Sequence, residues 1–300
     1  MKNVKTTEAE SLKNFLWDIF IRSFECKNDL YEDISVLDDD EKTRLLQSHF
    51  KDIDIWKKIY DKRLSFIKKN MRLINNDQVL DIEEIVFHPK AGWVISNGDV
   101  RVFLGKVSYN LNVKVNIGNH TYFSGPGIVR GDGLLQIGSY SCVAEGCYIS
   151  VVDDSHPMDY PSLYGFNRDK DSSRMCSDRP PMNLPMKHAK LSNTGKTGVT
   201  IGSDVWIARN VRIFNDVSIA DGCVIAERSL VKKNCEPYGI YGGIPAKLIR
   251  YRFSKSVIEQ LLEIRWWNWS TNKIKRNVNF FDTDLTAFKG NLFDVIESDE

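Results

Sequence analysis

"IGSDVWIARNVRIFNDVSIADGCVIAERSLVKKNCE", residues 201–236, divides without remainder into the hexads IGSDVW, IARNVR, IFNDVS, IADGCV, IAERSL and VKKNCE. The first position is always a branched aliphatic: Ile201, Ile207, Ile213, Ile219, Ile225 and Val231. The fifth is always small or β-branched: Val205, Val211, Val217, Cys223, Ser229 and Cys235. A period of six suits neither an α-helix, with 3.6 residues per turn, nor a flat strand with its period of two. It suits a coil of short strands and tight turns in which each side sends one large residue inward. Stacked coils then place like above like at the strand spacing of ~4.8 Å and build a continuous aliphatic column. An ordinary antiparallel β-domain has no reason to hold this period through consecutive hexads.

Working outward, the same rule holds in IGNHTY (117–122), IGSYSC (137–142) and VAEGCY (143–148), with VRGDGLLQ (129–136) as an irregular insert. Between the two runs lies a long interruption that opens with "DDSHPMDY", residues 153–160. Upstream, "DVRVFLG" and "LNVKVNIG" alternate like strands, and "SNGD" (96–99) is a hairpin signal. Residues 7 to about 75 read as helical, with Leu12, Phe15, Leu16, Ile19, Phe20 and Phe24 forming one apolar stripe. At the other end, "FSKSVIEQLLEIRWWNWS" reads as an amphipathic helix, with Val257, Leu261, Leu262 and Ile264 on one side and Trp266, Trp267 and Trp269 at its end. Such a tryptophan cluster is expected to be buried packing, and the acidic tail after about residue 280 to be partly loose. The expected organisation is therefore a helical extension over 1–78 and a strand-rich connection over 79–110. A β-helix follows over 111–250 with a loop at 154–198, then a C-terminal helix and tail over 251–300.

Bulk properties narrow the function. Lys plus Arg (41) balances Asp plus Glu (40), so no global field points to nucleic acid or an anionic membrane. No apolar run reaches the ~18 residues of a membrane span, and the first twenty residues lack a secretory pattern. The cysteines form no CxxC pair and read as reduced thiols of a cytoplasmic protein. No pair of the five histidines has metal-ligand spacing, so no metal is expected.

His156 stands at the end of a coil and opens the long excursion, a position that favours function over a plain surface role. The other histidines, His49, His88, His120 and His188, have no such context, and His120 is expected to be solvent-exposed at a turn.

Taken together, the hexads, the "H-x-x-D" of His156 and Asp159, "DVWIA", "GGIPAKLI", "RF" and "LLEIRWWNW" resemble the hexapeptide-repeat xenobiotic acetyltransferases, over roughly residues 110–275. That branch includes streptogramin and type B chloramphenicol acetyltransferases, with sugar O-acetyltransferases as relatives. The resemblance implies a mainly β fold, a left-handed parallel β-helix, whose hand departs from the right-handed rule for crossovers. It also implies acetyl-CoA as co-substrate and a homotrimer with its sites between subunits. His156 becomes the general base, since a neutral imidazole with a pKa near 6.5 can take a hydroxyl proton. Asp159 would orient the ring, with Asp154 as a second candidate. Ala208 and Ala226 match pantetheine-contacting positions, and Lys232, Lys233, Lys247 and Arg250 are candidates for the coenzyme phosphates. Ser155, Tyr160 and Trp206 are candidate acceptor-side residues. Two features depart from the family. One is the helical extension; the other is the loop, with Ser155 where asparagine is usual and "YGF" (164–166) for an aromatic-Pro-Phe. The leading expectation is O-acetylation of a carbohydrate, such as a surface polysaccharide or its precursor. An antibiotic acceptor and a non-catalytic β-helix scaffold are the alternatives.

Overall fold

The computed structural model of the chain describes residues 7–24, 40–41, 44, 46, 53–76, 78–88, 92–98, 100–105, 107–109, 112–152 and 198–297. Three sheets of six, nine and five strands form the walls of a prism. The chain visits them in fixed rotation: Trp206–Ile207 in the second sheet, Arg212–Ile213 in the third, Val217–Ile219 in the first, then Val224–Ile225 in the second again. Pairing between successive coils is parallel. Ile201 lies beside Ile219, Ile207 beside Ile225 and Ile213 beside Val231, eighteen residues on in each case. Three hexads therefore make one coil.

The inward column follows from that register. In the first sheet Ile117, Ile137, Ile201 and Ile219 are stacked, and in the third Val129, Ile149, Ile213 and Val231. All eight are at most 1% exposed. The fifth positions, Val205, Val211, Val217, Cys223, Ser229 and Cys235, are buried as well. Several corners turn the chain through a residue in the left-handed region. Tyr140, Asp204 and Tyr238, with φ of 58°, 56° and 56°, serve one corner together with His120 and Gly222.

The stack begins earlier than the sequence pattern indicates. Met71–Asn75, expected to be helical, is a strand that pairs parallel with Lys114–Gly118. Its Met71 and Leu73 are fully buried, and it is the last parallel rung of the first sheet, with Gln78–Leu80 pairing antiparallel outside it as the edge strand. Glu84–His88, Gly92–Asn97 and Val100–Gly105 form an antiparallel meander that extends the second sheet, with Asn97 opposite Val100 at the hairpin. Together these strands cap one end of the prism.

Two helices, α1 (Glu8–Phe24) and α2 (Ile53–Asn70), sit on this cap. Tyr60, Phe66 and Ile67 of α2 share one continuous core with the coils. Ser11 Oγ of α1 accepts from Tyr60 OH at 2.8 Å and from Phe87 N at 2.7 Å, which ties helix, helix and sheet together. Arg63 donates to the carbonyl of Val107 and lies over the Tyr109 ring at 5.0 Å.

At the opposite end, the second sheet closes with Ala246–Tyr251 running antiparallel to Gly239–Gly243. Helix α3 (Lys255–Ile264) follows, with Ser254 Oγ accepting from Val257 N at its start. Val257, Leu261, Trp267 and Phe280 form a second core, and Trp266 and Trp269 pack on it. The tail is not loose: Leu292 is fully buried, and Asn277 Oδ1 accepts from Glu297 N at 2.7 Å. Apolar residues spaced through the acidic stretch, Leu285, Phe288, Val295 and Ile296, hold it down. Arg252 clamps this unit to the coils, donating to Asp204 Oδ2 at 2.9 Å and to the Gly222 carbonyl at 2.8 Å.

Candidate active site

The long excursion leaves from the third sheet after Tyr148–Val151 and returns to the first at Gly198–Ile201. The corner it departs from is held tightly. Gly131, at φ 134°, lies opposite Val151, where a Cβ would come within 2.7 Å of the Val151 carbonyl carbon. Gly133 N donates to Val151 O at 3.0 Å, and Ser150 Oγ to the Val152 carbonyl at 3.2 Å. Both ends of the excursion are therefore in register with the coil beneath, and Leu134 pairs with Gly198 across it. His156, Asp159, Asp154, Ser155, Tyr160 and the "YGF" stretch lie outside the described residues.

The remaining candidates fall on two walls. On the second sheet, outward positions stack as Tyr122, Cys142, Trp206, Val224 and Ile240. Trp206 stands 53% exposed, a wide apolar surface with no described side chain covering most of it. Tyr122 is hydrogen-bonded to Cys142, which raises the phenol pKa, and desolvation adds to the shift.

Directly after this column the chain turns at a stripe of small residues. Ala144 N donates to Ile207 O, Ala208 N to Ile225 O and Ala226 N to Tyr241 O, all at 2.8–2.9 Å. Gly242 continues the stripe and is covered by Ile249; a Cβ there would come within 2.8 Å of Ile249 Cδ1 and 3.3 Å of the Ala226 Cβ. The result is a row of small residues parallel to the coil axis. The family resemblance names Ala208 and Ala226 from sequence. Ala144 and Gly242 extend their row, and Cys142 lies beside Trp206.

The four cations are divided. Lys247 and Arg250 lie on the closing strand of the second sheet, opposite Gly242 and Ile240. Lys247 is therefore at the end of the small-residue stripe. Lys232 and Lys233 follow the last strand of the third sheet, with the Lys232 ammonium 5.2 Å from the Phe214 ring centre. The structure does not gather all four into one cluster.

His120 is exposed at its turn, its ring 4.9 Å from that of Tyr140. Desolvation, with Arg101 nearby, holds its pKa below the usual histidine value. Among the described residues no cluster of metal-ligating side chains is present. No described helix is long and apolar enough to cross a membrane.

No family model matches the chain. Individual proteins do. A probable macrolide acetyltransferase of Lysinibacillus sphaericus is 39% identical over 154 residues, 51% of this chain and 79% of that protein. A chloramphenicol acetyltransferase of Klebsiella aerogenes is 34% identical over 181 residues, 55% of this chain and 80% of its own length. A dTDP-4-amino-4,6-dideoxy-D-glucose acyltransferase of Escherichia coli is 25% identical over 181 residues, 60% of this chain and 90% of its own.

Proposed function

The chain belongs to the hexapeptide-repeat xenobiotic acetyltransferases and is an acyltransferase, and from that premise we propose that it moves an acetyl group from acetyl-CoA to a carbohydrate hydroxyl. The similarity to acetyltransferases across four-fifths of their length is the observation that carries acetyl transfer, the acceptor resting on other grounds. In this proposal the coils are left-handed, the working form is a cytoplasmic homotrimer, and residues 111–250 carry the chemistry. The helices before them and the unit after them act as caps.

His156 takes the proton of the acceptor hydroxyl as its oxygen attacks the thioester carbonyl. A tetrahedral oxyanion forms; its collapse breaks the carbon–sulfur bond, and the imidazolium returns the proton to the departing thiolate. Asp159 fixes the imidazole by accepting from its other nitrogen. The pantetheine arm lies along Ala208 and Ala226, and the exposed Lys247 and Arg250 meet the coenzyme phosphates. Trp206 forms a wall of the acceptor space, with Ser155 and Tyr160 on its loop side.

The carbohydrate acceptor rests on the altered loop, on the added helical segment and on the similarity to a sugar acyltransferase. An antibiotic acceptor is the second reading, favoured by the names of the macrolide and chloramphenicol relatives. Release of CoA thiol, measured against oligosaccharides, a macrolide, a streptogramin and chloramphenicol, decides between them. His156→Ala should lower kcat by about 10²–10⁴-fold while acetyl-CoA still binds. Unchanged turnover would remove this histidine from the mechanism.

A further inference from the structure

The corner that carries His120, Tyr140, Asp204, Gly222 and Tyr238 changes side-chain size from coil to coil. His120 and Tyr140 are paired rings with centres 4.9 Å apart, but the next coils offer a carboxylate at Asp204 and no side chain at Gly222. The Tyr238 ring leans across Gly222, where a Cβ would fall 2.5 Å from its ring carbons. The recess beside Asp204 is roofed by the C-terminal unit, which leaves a partly open cavity of about 330 Å³, within the range of small-molecule sites. Asp204, Tyr238, Arg252 and Phe253 line one side, and Trp266, Phe280 and Phe281 belong to the roof. The cavity lies at the corner before the second sheet's strands, whereas the row of small residues lies at the corner after them.

The lining sets the chemistry. The Trp266 and Phe281 rings are 5.1 Å apart at 86°, and so are those of Phe280 and Phe281. Rings at right angles present π faces in more than one direction, the arrangement that surrounds a cation. One wall already holds such a group, the Arg252 guanidinium, 5.3 Å from the Tyr238 ring centre and 5.0 Å from that of Phe253. Its charge is matched, since Arg252 Nη1 donates to Asp204 Oδ2 at 2.9 Å. Among the described residues, the one further charged group in the lining is Asp284. Asp284 Oδ1 accepts from Thr286 Oγ1 at 2.7 Å and from Thr286 N at 2.9 Å, which holds its carboxyl below the usual aspartate range. Asp204 and Arg252 cancel, so the lining keeps the negative charge of Asp284 beside aromatic faces. The Tyr238 hydroxyl is buried in the wall with no hydrogen-bond partner among the described residues, a polar group that the protein alone does not satisfy.

We propose that this cavity binds a small organic cation, an alkylated ammonium of about the size of choline, its charge held against Trp266 and Phe281 and met by the Asp284 carboxylate. An anion of that size would meet the carboxylates of Asp204 and Asp284, and a neutral molecule would forgo the attraction of the rings. The site needs nothing from the acetyl-transfer reading and stands or falls apart from it.

The test is calorimetric titration of the full chain with choline, with its uncharged isostere 3,3-dimethyl-1-butanol, and with benzoate. Choline should bind at least about tenfold more tightly than the isostere, and benzoate should not bind. Phe281→Leu should weaken choline about threefold or more, and so should Asp284→Asn, which keeps an acceptor for Thr286. Asp294→Asn, at an exposed acid elsewhere on the same unit, should leave choline binding unchanged. Phe281 and Asp284 are both exposed, so thermal melting should show the variants folded, and the wild-type comparison of choline with its isostere stands without them. The inference is overturned if choline fails to bind at millimolar concentration, or if the isostere or benzoate binds equally well. It is overturned too if Phe281→Leu or Asp284→Asn is silent, or if Asp294→Asn weakens choline as much, which would mark bulk attraction to an acidic surface.

Discussion

Replacing Ile213 by alanine tests the register on which the whole prism depends. Ile213 is fully buried in the third sheet between Ile149 and Val231, themselves at most 1% exposed. The change deletes an ethyl and a methyl group, about 2.4 kcal/mol at ~0.8 kcal/mol per buried carbon. The neighbours are held by parallel ladders on both sides and cannot collapse inward, so a cavity penalty adds to this. The expected loss is about 3–4 kcal/mol. Arg212→Ala, one residue earlier and pointing outward, should change stability by less than about 1 kcal/mol. Urea unfolding followed by circular dichroism gives both values, with the midpoint shift multiplied by the common slope. A slip of one residue would exchange the inward and outward sets, so equal losses at 212 and 213 would refute the assignment. So would a loss below about 1 kcal/mol for Ile213→Ala.

Further outcomes follow from other parts of the molecule. Arg252→Met should free the C-terminal unit from the coils at a cost of about 1–2 kcal/mol, the pair being roughly a quarter exposed on each side, 27% and 26%; limited proteolysis should then cut near residue 252 first, and an unchanged pattern would refute the clamp. Burial pushes the Cys223 and Cys235 thiols up to about 12. Their folded values lie above the unfolded ones, so their contribution is complete below pH ~8.5 and is lost as pH rises toward 12. Thermal midpoints should therefore fall over that window, and Cys223→Ala with Cys235→Ala should flatten the fall; an unaltered profile counts against it. Ala226→Leu should crowd the row of small residues and raise the KM for acetyl-CoA about tenfold or more with the melting curve nearly unchanged, and an unaltered KM would place the pantetheine elsewhere.

The centre of the fold was legible because the hexad rule leaves little choice: a large residue every sixth position can face a common interior only in a three-walled coil. The ends obey different physics. Met71–Asn75 follows α2 with no proline or glycine between, and five residues alternate too briefly to stand out from a helix. Its strand character comes from the exposed edge at Lys114–Gly118, a partner more than forty residues away in the sequence. The acidic tail misleads in the opposite direction, since its charge hides the few apolar residues that dock on Trp267 and Phe280. Within the candidate site, the hexads place Ala208, Ala226 and Trp206 on the coils, while the roles expected of them come from the family resemblance. The separation of Lys232 from Lys247 does not, because adjacency in a coil depends on which wall a residue reaches and not on its distance along the chain.

The corner between Val151 and Gly198 has a bearing on how such a molecule changes over time. Neighbouring rungs pin both ends, and the cost of closing a loop grows only slowly with its length. Residues 153–197 can thus be shortened, lengthened or exchanged as a cassette without disturbing the coils beneath. On the proposed reading, selection can rewrite the loop residues that face the acceptor while the coils beneath are inherited intact.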